Sequence, residues 1–333
     1  MLKKLGIAYP IIQAPMAGIT TPEFVVASAN AGILGAIGAG YLSGEETRQF
    51  IREVKKRTRQ PFMVNLFLPE DVQVRKATIQ KANVDLHTIR ESLGISEAKV
   101  QFQEPNFDAQ IEVLLEENVK VCSFTFGLPS RQIVERLKAQ HVFLIGTATT
   151  VEEALLAEEI GMDAVVAQGS EAGGHRGSFQ GQLTLIPLED FLPDIVKSVQ
   201  IPVIAAGGIA NKAMSDKAFA AGAAAVQVGT ALLASKESGA HSLHKEALLR
   251  ATKGSTVLTN TFSGKMARGI RNEFTERMKN AVIAPYPYQN DLTKEIRKVA
   301  AQQEKPEFMS LWAGENVHLS TDGKVRDIIA RFI

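Results

Sequence analysis

The sequence predicts an α/β fold of the (β/α)8 TIM-barrel type, with a helical insertion and a C-terminal helical subdomain. Eight short apolar runs recur along the 333 residues, and most begin roughly 22 to 28 residues after the previous one, as a strand, loop and helix require. The runs are almost continuously apolar, which is typical of parallel strands covered on both faces. The predicted strands are residues 11–13, 34–38, 62–67, 120–124, 142–146, 164–168, 203–206 and 225–229.

The segments between these runs carry helix start and stop signals. Thr21-Pro22 combines a capping side chain with proline at the first helical position. Gly161 and Gly222 follow two helical segments, where a left-handed C-cap favours glycine. The predicted helices are residues 21–31, 45–57, 130–139, 151–160 and 213–221. A doubly wound open sheet is the alternative fold, but eight units without a glycine-rich fingerprint after the first strand favour the barrel.

Two stretches interrupt this rhythm. Residues 68–111 are charged and contain Pro69 and Pro105, so we expect a mostly helical insertion above the barrel mouth. After residue 230 the chain turns polar and helical up to about residue 303. We therefore expect a barrel over residues 1–235 and a helical subdomain over residues 236–333, whose last residues pack back on the barrel.

The composition argues against several classes of partner. A formal net charge of +1 gives no nucleic-acid footprint, and no apolar run approaches the ~20 residues of a membrane span. The N-terminus lacks the apolar core of a signal peptide, so we expect a cytoplasmic protein. The single cysteine, Cys122, lies in an apolar run and is interpreted as a buried, inert thiol. A homo-oligomer is compatible with the sequence.

Glycines follow the seventh and eighth predicted strands. Gly207-Gly208 and Gly229-Thr230 expose backbone N–H groups at successive strand ends. Barrels often bind phosphate in the loops after these two strands, and a helix N-terminus there adds a favourable dipole. The pair of motifs predicts a ligand that carries a phosphate group.

The densest cluster of small residues follows the sixth strand and contains a histidine. The segment QGSEAGGHRG, residues 168–177, holds four glycines in ten residues, which makes sense where backbone approaches a ligand closely. His175 stands in this loop, and an imidazole titrating near neutral pH suits a general base. We interpret His175 as the catalytic residue.

Three other segments carry weaker signals. In QAPMAG, residues 13–18, Pro15 and Gly18 make a rigid loop whose backbone could lie against a flat ring, although an ordinary turn has the same pattern. Asn65 ends the third strand, where a carboxamide can donate and accept at a ring edge; a lone asparagine is more often a loop cap. The segment TFSGKMARGI, residues 261–270, either lines the mouth or, as we favour, seats the subdomain.

No metal site is expected. The six histidines are scattered. His241 and His244 lie three apart on a probable helix, but no carboxylate or cysteine cluster supports a site, so we expect this pair on a solvated face. The sequence also lacks a G-x-S-x-G element or a Cys/His pairing of the kind that hydrolases use.

Five of these motifs, in order, resemble the nitronate monooxygenase family, class I, formerly called 2-nitropropane dioxygenase. They are QAPMAG, QGSEAGGHRG, IPVIAAGGI, VQVGT and FSGKMARGI, and they span about four-fifths of the chain. The resemblance implies an FMN-dependent barrel that oxidises alkyl nitronates with O2 to a carbonyl compound and nitrite. It suggests propionate 3-nitronate as the substrate.

The resemblance also implies roles for individual residues. The family's catalytic histidine corresponds to His175. Its FMN contacts correspond to Met16, Asn65, Gln168, Gly173, Gly208, Gln227, Val228, Gly229 and Thr230, to which the phosphate pattern adds Gly207. Family members often continue after AAGGI with an Asp-Gly pair and another glycine. Here the chain has Ala210-Asn211-Lys212-Ala213, which weakens the substrate assignment more than FMN binding.

Two other functions remain open from the sequence. The first is an NAD(P)H-dependent FMN reductase on the same barrel, of the enoyl-acyl-carrier-protein or quinone reductase type. The FMN-dependent enoyl reductases share an EAGGH loop but tend to carry Glu at the position of Gln168, and they lack most of the insertion. The second is a non-catalytic phosphate- or nucleotide-binding barrel, against which His175 argues because a pure binder needs no titratable group there.

Overall fold

Eight parallel strands form a barrel in the computed structural model, which describes residues 1–70, 72–96, 100, 102 and 106–333. The strands are β1 (Ile11–Gln13), β2 (Gly35–Gly38), β3 (Phe62–Phe67), β4 (Val121–Thr125), β5 (Phe143–Ala148), β6 (Ala164–Gln168), β7 (Gly174–His175), β8 (Val203–Ala206), β9 (Ala225–Val228), β10 (Thr256–Thr259) and β11 (Ala267–Ile270). The barrel order is β1-β9-β8-β6-β5-β4-β3-β2. Each barrel strand coincides with a predicted apolar run to within two residues, so the predicted barrel is confirmed.

The barrel closes at the seam between β1 and β2. A parallel bridge joins Ile12 to Leu34, and the Leu34 carbonyl accepts the Gln13 N–H at 2.9 Å. The fully buried side-chain amide of Gln13 adds a second link, because it both donates to the Ala36 carbonyl and accepts from the Ala36 N–H at 3.4 Å. A side chain thus pairs with backbone where the two short strands diverge.

Helices surround the barrel and supply the remaining secondary structure. They are α1 (Leu2–Leu5), α2 (Pro22–Asn30), α3 (Gly44–Arg57), α4 (Lys76–Asp85), α5 (His87–Ser92), α6 (Phe107–Glu116), α7 (Arg131–Ala139), α8 (Val151–Ile160), α9 (Leu188–Ser198), α10 (Lys212–Ala220), α11 (Thr230–Leu233), α12 (Ser242–Arg250), α13 (Glu273–Arg277), α14 (Tyr288–Gln302) and α15 (Val325–Ile329), with 3-10 turns at Pro306–Phe308 and Val317–Leu319. The predicted cap is confirmed at Thr21, whose side chain accepts the Phe24 N–H at 3.2 Å. Gly161 and Gly222 have φ values of 102° and 98°, as the predicted left-handed C-caps require.

Alternate residues of the strands build two separate cores. Ile12, Met63 and Val166 point into the barrel, whereas Ile11, Val64 and Val165 pack outward against the helices. This alternation lets each strand be apolar along its whole length. Cys122 belongs to the outer core, where burial raises the pKa of its thiol, in agreement with the prediction of an inert cysteine.

The insertion and the C-terminal part of the chain share a third core. Leu86 and Ile89 of the insertion pack in one cluster with Leu292 and Ile296 of α14. The predicted end of the insertion, residue 111, falls inside α6, which packs against α3 as a helix of the barrel. Pro105, which the sequence placed in the insertion, lies outside the described residues.

A three-stranded antiparallel sheet, ordered β10-β11-β7, stands beside the barrel. The apolar pattern did not indicate it, so the expectation of helix alone after residue 230 is incomplete. In its register His175 lies opposite Ala267, and Gly174 lies opposite Arg268. The last helix, α15, packs on α2, and its residues join the outer core of the barrel.

Within the described ranges, the protein has no helix that is both long and apolar enough for a membrane span.

We expect Gln13→Leu to lower the free energy of unfolding by about 1–3 kcal/mol, because the buried peptide group of Ala36 loses its polar partner. Urea unfolding followed by circular dichroism measures this change. The control is Gln49→Leu, which removes an exposed glutamine from α3. Equal stabilities of the two variants would contradict a structural role for the Gln13 amide at the seam.

Candidate active site

A cavity of about 550 Å³ opens at the C-terminal ends of the barrel strands, and its volume lies within the usual range for small-molecule sites. It brings together residues that are up to 306 positions apart in the sequence, from Ala14 to Ser320. Of the residues predicted to form the site, those in its wall are Met16, Asn65, Gln168, Gly173, His175, Gly207, Gly208, Gln227, Gly229 and Thr230.

Val228 is the predicted residue that does not reach the cavity. Its side chain is fully buried in the core between barrel and helices, and its carbonyl accepts the Ala14 N–H at 2.8 Å. Because neighbouring strand residues face opposite sides, Gln227 points into the barrel mouth where Val228 points away. Val228 therefore supports the first loop through its backbone carbonyl.

One end of the cavity is bounded by the loops after β8 and β9. Gly208 has a φ of +67°, and a Cβ there would lie 3.1 Å from the Asn316 amide nitrogen and 3.2 Å from the Glu171 Cβ. Glycine therefore suits both the backbone conformation and the close packing at this position. The Thr230 hydroxyl accepts the Gly314 N–H at 2.9 Å, which leaves its own hydrogen for another acceptor.

Asn316 and Ser320, both in the cavity wall, were missed by the sequence patterns. Asn316 donates its amide to the Gly208 carbonyl at 2.7 Å and so holds the glycine turn in place. Ser320 also lines the cavity, and its buried hydroxyl has no hydrogen-bond partner in the described part of the chain. An unpaired buried hydroxyl in the wall fits a cavity that receives a polar ligand group.

The Asn65 side chain is oriented by β4. Its amide nitrogen donates to the Ser123 carbonyl at 3.3 Å and to the hydroxyls of Ser123 and Thr125 at 3.0 and 3.1 Å. A carbonyl can only accept, so the nitrogen must face β4 and the amide oxygen is the free end. Asn65 therefore offers an acceptor to the cavity.

The Gln168 side chain is held by the loop that follows it. Its amide nitrogen donates to the His175 carbonyl at 3.1 Å, and its oxygen accepts the Gly177 N–H at 2.8 Å. The buried guanidinium of Arg176 closes the same loop from the other side, donating to the carbonyls of Gln168 and Gly169. These two side chains fix the path of the glycine-rich segment.

Gly173 lines the cavity, and close packing against the Gly314 backbone also requires glycine at this position. A Cβ at this position would lie 2.5 Å from the Gly314 nitrogen, which is too close for any other residue. The first loop has its own brace, because the Thr20 hydroxyl donates to the Met16 carbonyl at 2.9 Å. Both loops thus present backbone to the cavity in a defined shape.

His175 stands in the wall of the cavity among aromatic rings. Its Nε2 lies 2.8 Å from the Ser263 hydroxyl, and its ring centroid lies 5.4 to 6.3 Å from those of Phe126, Tyr286 and Trp312. Burial among these rings lowers the pKa of His175 to about 3, and the positive charges of Arg297 and Lys265 act in the same direction. The imidazole is therefore neutral at physiological pH with a lone pair available, and it does not titrate near neutral pH as the sequence led us to expect.

Cationic side chains from the C-terminal part of the chain surround the same chamber. Lys294 and Arg297 of α14 line the cavity, and Arg297 is held by the carbonyl and side-chain oxygen of Asn290, each at 2.8 Å. Lys265 lies over the Phe126 ring and pairs with Glu70, where the insertion begins. These charges favour an anionic ligand in the chamber.

The segment 261–270 has both of the roles that the sequence allowed. Arg268 donates to the Ser170 carbonyl at 3.1 and 3.2 Å, which seats the segment on the glycine loop, as we favoured. Ser263 also lines the cavity and contacts His175. The aromatic residues Phe126, Tyr286 and Trp312 were not identified from the sequence, because single aromatic residues in loops carry no periodic signal.

No group of three or more His, Cys, Asp or Glu side chains arranged to hold a metal ion occurs among the described residues. His244, which the sequence placed on a solvated face, is instead 3% exposed and lies beside the cavity, 3.0 Å from the Trp312 carbonyl. That expectation was wrong because the C-terminal segment around Trp312 covers α12.

A family model and individual relatives of this chain all carry the same family name. The whole chain, residues 1–333, matches the family model described as nitronate monooxygenase. A probable nitronate monooxygenase of Staphylococcus haemolyticus (strain JCSC1435) is 45% identical over 340 residues, covering 100% of this chain and 95% of the relative. One of Staphylococcus aureus (strain Newman) is 44% identical over 339 residues, covering 100% and 96%.

Solved structures resemble the whole chain as well. A nitroalkane oxidase from Streptomyces ansochromogenes superimposes with a TM-score of 0.93 at 36% identity, covering 99% of this chain and 96% of the other. FabK from Thermotoga maritima superimposes with a TM-score of 0.79 at 30% identity, covering 99% and 93%.

The buried histidines predict a loss of stability in acid. Burial lowers the pKa of His244 to about 4, so between pH 6.5 and 4 the unfolded chain binds a proton that the folded chain does not. Stability therefore falls as the pH falls through this window, and His244 accounts for about 2 kcal/mol of the loss at pH 5.

His244→Gln keeps a donor for the Trp312 carbonyl but does not titrate. We expect its free energy of unfolding, measured by urea denaturation, to fall about 2 kcal/mol less than that of the wild type between pH 7.5 and pH 5. Identical pH dependence in the two proteins would show that His244 does not resist protonation.

Proposed function

The chain belongs to the nitronate monooxygenase family, and from this premise we propose that it uses FMN and O2 to oxidise alkyl nitronates to a carbonyl compound and nitrite. The main support is the position of His175 in one cavity with the glycine turns after β8 and β9. The imidazole marks a chamber for the reacting group, and the turns mark an anchor for a phosphate.

The residues of the cavity fit FMN. Gly207, Gly208, Gly229 and Thr230 would hold the phosphate, with backbone N–H groups and the free hydroxyl hydrogen of Thr230 as donors. The Asn65 amide oxygen would accept a ring N–H, while Gln227 and the loop around Met16 would border the ring. When bound, FMN supplies a ring that takes electrons from the substrate and passes them to O2.

The charges of the chamber fit the substrate. A nitronate is an anion, and the cationic side chains of Lys294 and Arg297 attract it into a space that aromatic rings shield from water. A second anionic group on the substrate, such as the carboxylate of propionate 3-nitronate, would gain further from two cations on one helix. We therefore propose a carboxylated nitronate as the preferred substrate.

His175 has a role that depends on the form of the substrate. A nitronate has already lost its α-proton, so no base is needed before its oxidation. A neutral nitroalkane must first lose this proton, and the neutral imidazole of His175 can accept it. The residue thus serves as a general base for neutral substrates alone.

The reductase alternative is less well supported. FabK shares the fold at a TM-score of 0.79, but the nitroalkane oxidase superimposes at 0.93 and the curated relatives are named as probable nitronate monooxygenases. A non-catalytic binding barrel would not need a neutral histidine between cations and aromatic rings at the mouth.

The protein reconstituted with FMN is expected to consume O2 and release nitrite from propionate 3-nitronate. Under anaerobic conditions the nitronate should bleach the flavin absorbance, whereas NADH and NADPH should not. Bleaching by a nicotinamide with no response to nitronates would support the reductase instead.

His175→Asn is expected to reduce kcat/KM for a neutral nitroalkane by about 10²- to 10⁴-fold, the usual contribution of a general base. Nitronate oxidation should change far less. Steady-state oxygen uptake with both forms of one nitroalkane makes the comparison. A similar loss with both forms would refute the assignment of His175 as base.

Thr230→Val is expected to raise the Kd for FMN about tenfold or more, because a charge-assisted hydrogen bond to the phosphate is lost. Thr230→Ser should restore binding, and Thr88→Val, on an exposed position of α5, is the matched control. Fluorescence titration of the apoprotein gives the Kd. Unchanged affinity in Thr230→Val would exclude this hydroxyl as a phosphate donor.

A further inference from the structure

We propose that Ser263 is a positioning residue that fixes the tautomer of His175, keeping the proton on Nε2 and presenting the lone pair of Nδ1 to the cavity. The inference rests on the proposed function, because a defined base matters only if neutral nitroalkanes are substrates. Its structural part, the tautomer itself, is open to direct measurement.

Only one placement of the hydroxyl and imidazole protons satisfies all the hydrogen-bond partners of the Ser263 hydroxyl. Its oxygen lies 2.8 Å from His175 Nε2, 3.1 Å from the Lys265 carbonyl and 3.3 Å from the Lys265 nitrogen. The carbonyl can only accept, so the single hydroxyl proton is needed there. The hydroxyl oxygen must then accept from His175, which places the imidazole proton on Nε2.

The other ring nitrogen is free. His175 Nδ1 has no hydrogen-bond partner among residues 1–70, 72–96 and 106–333, and it is not sealed from the cavity that His175 lines. In the Nε2–H tautomer this nitrogen carries the lone pair. The free nitrogen is therefore also the basic one.

The turn that carries Ser263 is firmly held. The carbonyl of Thr261 accepts the Gln289 side-chain amide at 2.9 Å, and the carbonyl of Phe262 accepts the Thr293 hydroxyl, so α14 fixes both. On the other side, His175 is fixed by its register opposite Ala267. The Ser263 contact is thus set by two rigid elements, and Ser263 is 2% exposed.

This arrangement defines the proton transfer. The α C–H bond of a neutral nitroalkane breaks, its proton goes to Nδ1, and its electron pair stays on the substrate as the nitronate. The imidazole becomes a cation whose Nε2–H still donates its hydrogen bond to the Ser263 oxygen. Nδ1 later releases its proton to water. With the opposite tautomer, Nδ1 would already carry a proton and could not accept another.

The tautomer can be read from the ¹⁵N shifts of the FMN-bound protein labelled at its six histidines, with His175 assigned by its loss in His175→Asn. We expect the Nε2–H pattern in the wild type and in Ser263→Thr, and a mixture that includes Nδ1–H in Ser263→Ala. An Nδ1–H pattern in the wild type, or an unchanged pattern in Ser263→Ala, would overturn the proposal.

Kinetics test the consequence. Ser263→Ala should lower kcat/KM about tenfold for a neutral nitroalkane and less than about twofold for its nitronate, a small part of the full effect of a general base. Thr261→Val removes a buried hydroxyl contact of the same turn, 2.8 Å from Thr259, without touching His175. It should leave the tautomer and this ratio unchanged.

An equal loss on both substrates in Ser263→Ala would show a general disturbance of the site and refute the positioning role. If the wild type consumes neither substrate but shows the Nε2–H pattern, the proposed function fails while the tautomer assignment stands.

Discussion

The hydrogen bonds between β7 and β11 join the loop that carries His175 to a segment about ninety residues further along the chain. They extend to the next residue, since the Arg176 N–H donates to the Met266 carbonyl at 2.8 Å. A two-residue strand has no stability of its own, so the loop takes this shape only when the C-terminal sheet is in place. The barrel supplies the floor of the cavity, but the direction of the imidazole is set by the sheet beside it.

The side of the cavity opposite the barrel, here called the roof, is formed by α4, α5 and α14. These helices come from distant parts of the chain and share one core. The insertion helices α4 and α5 pack on α14, which in turn presents Lys294 and Arg297 to the chamber. Arg90 of the insertion donates to the Leu292 carbonyl at 3.2 Å, and Lys265 pairs with Glu70 at the start of the insertion. The roof therefore has internal packing and polar links like those of a small domain, which keeps its charges at fixed positions.

Structural features that depend on neighbouring residues could be predicted from the sequence. Features that depend on contacts between distant residues could not. Each barrel strand is apolar on both faces, so a continuous apolar run in the sequence predicts it. Gly207 and Gly208 have positive φ values, which favour glycine, so these turns are also visible in the local sequence. The strands β10 and β11 contain polar residues on a partly exposed sheet and have no such signal. Ser263 and the rings around His175 acquire meaning only through pairings that span 88 residues or more, or through packing, which no local pattern encodes.

Cys122 has a consequence for the lifetime of the molecule. Its thiol is fully buried in the outer core and remains protonated because burial raises its pKa. A thiol reacts with peroxides through its thiolate, and this is the single cysteine in the sequence. An enzyme that uses O2 as proposed above thus exposes no sulfhydryl to peroxides released at its active site, and burial protects its cysteine from oxidation.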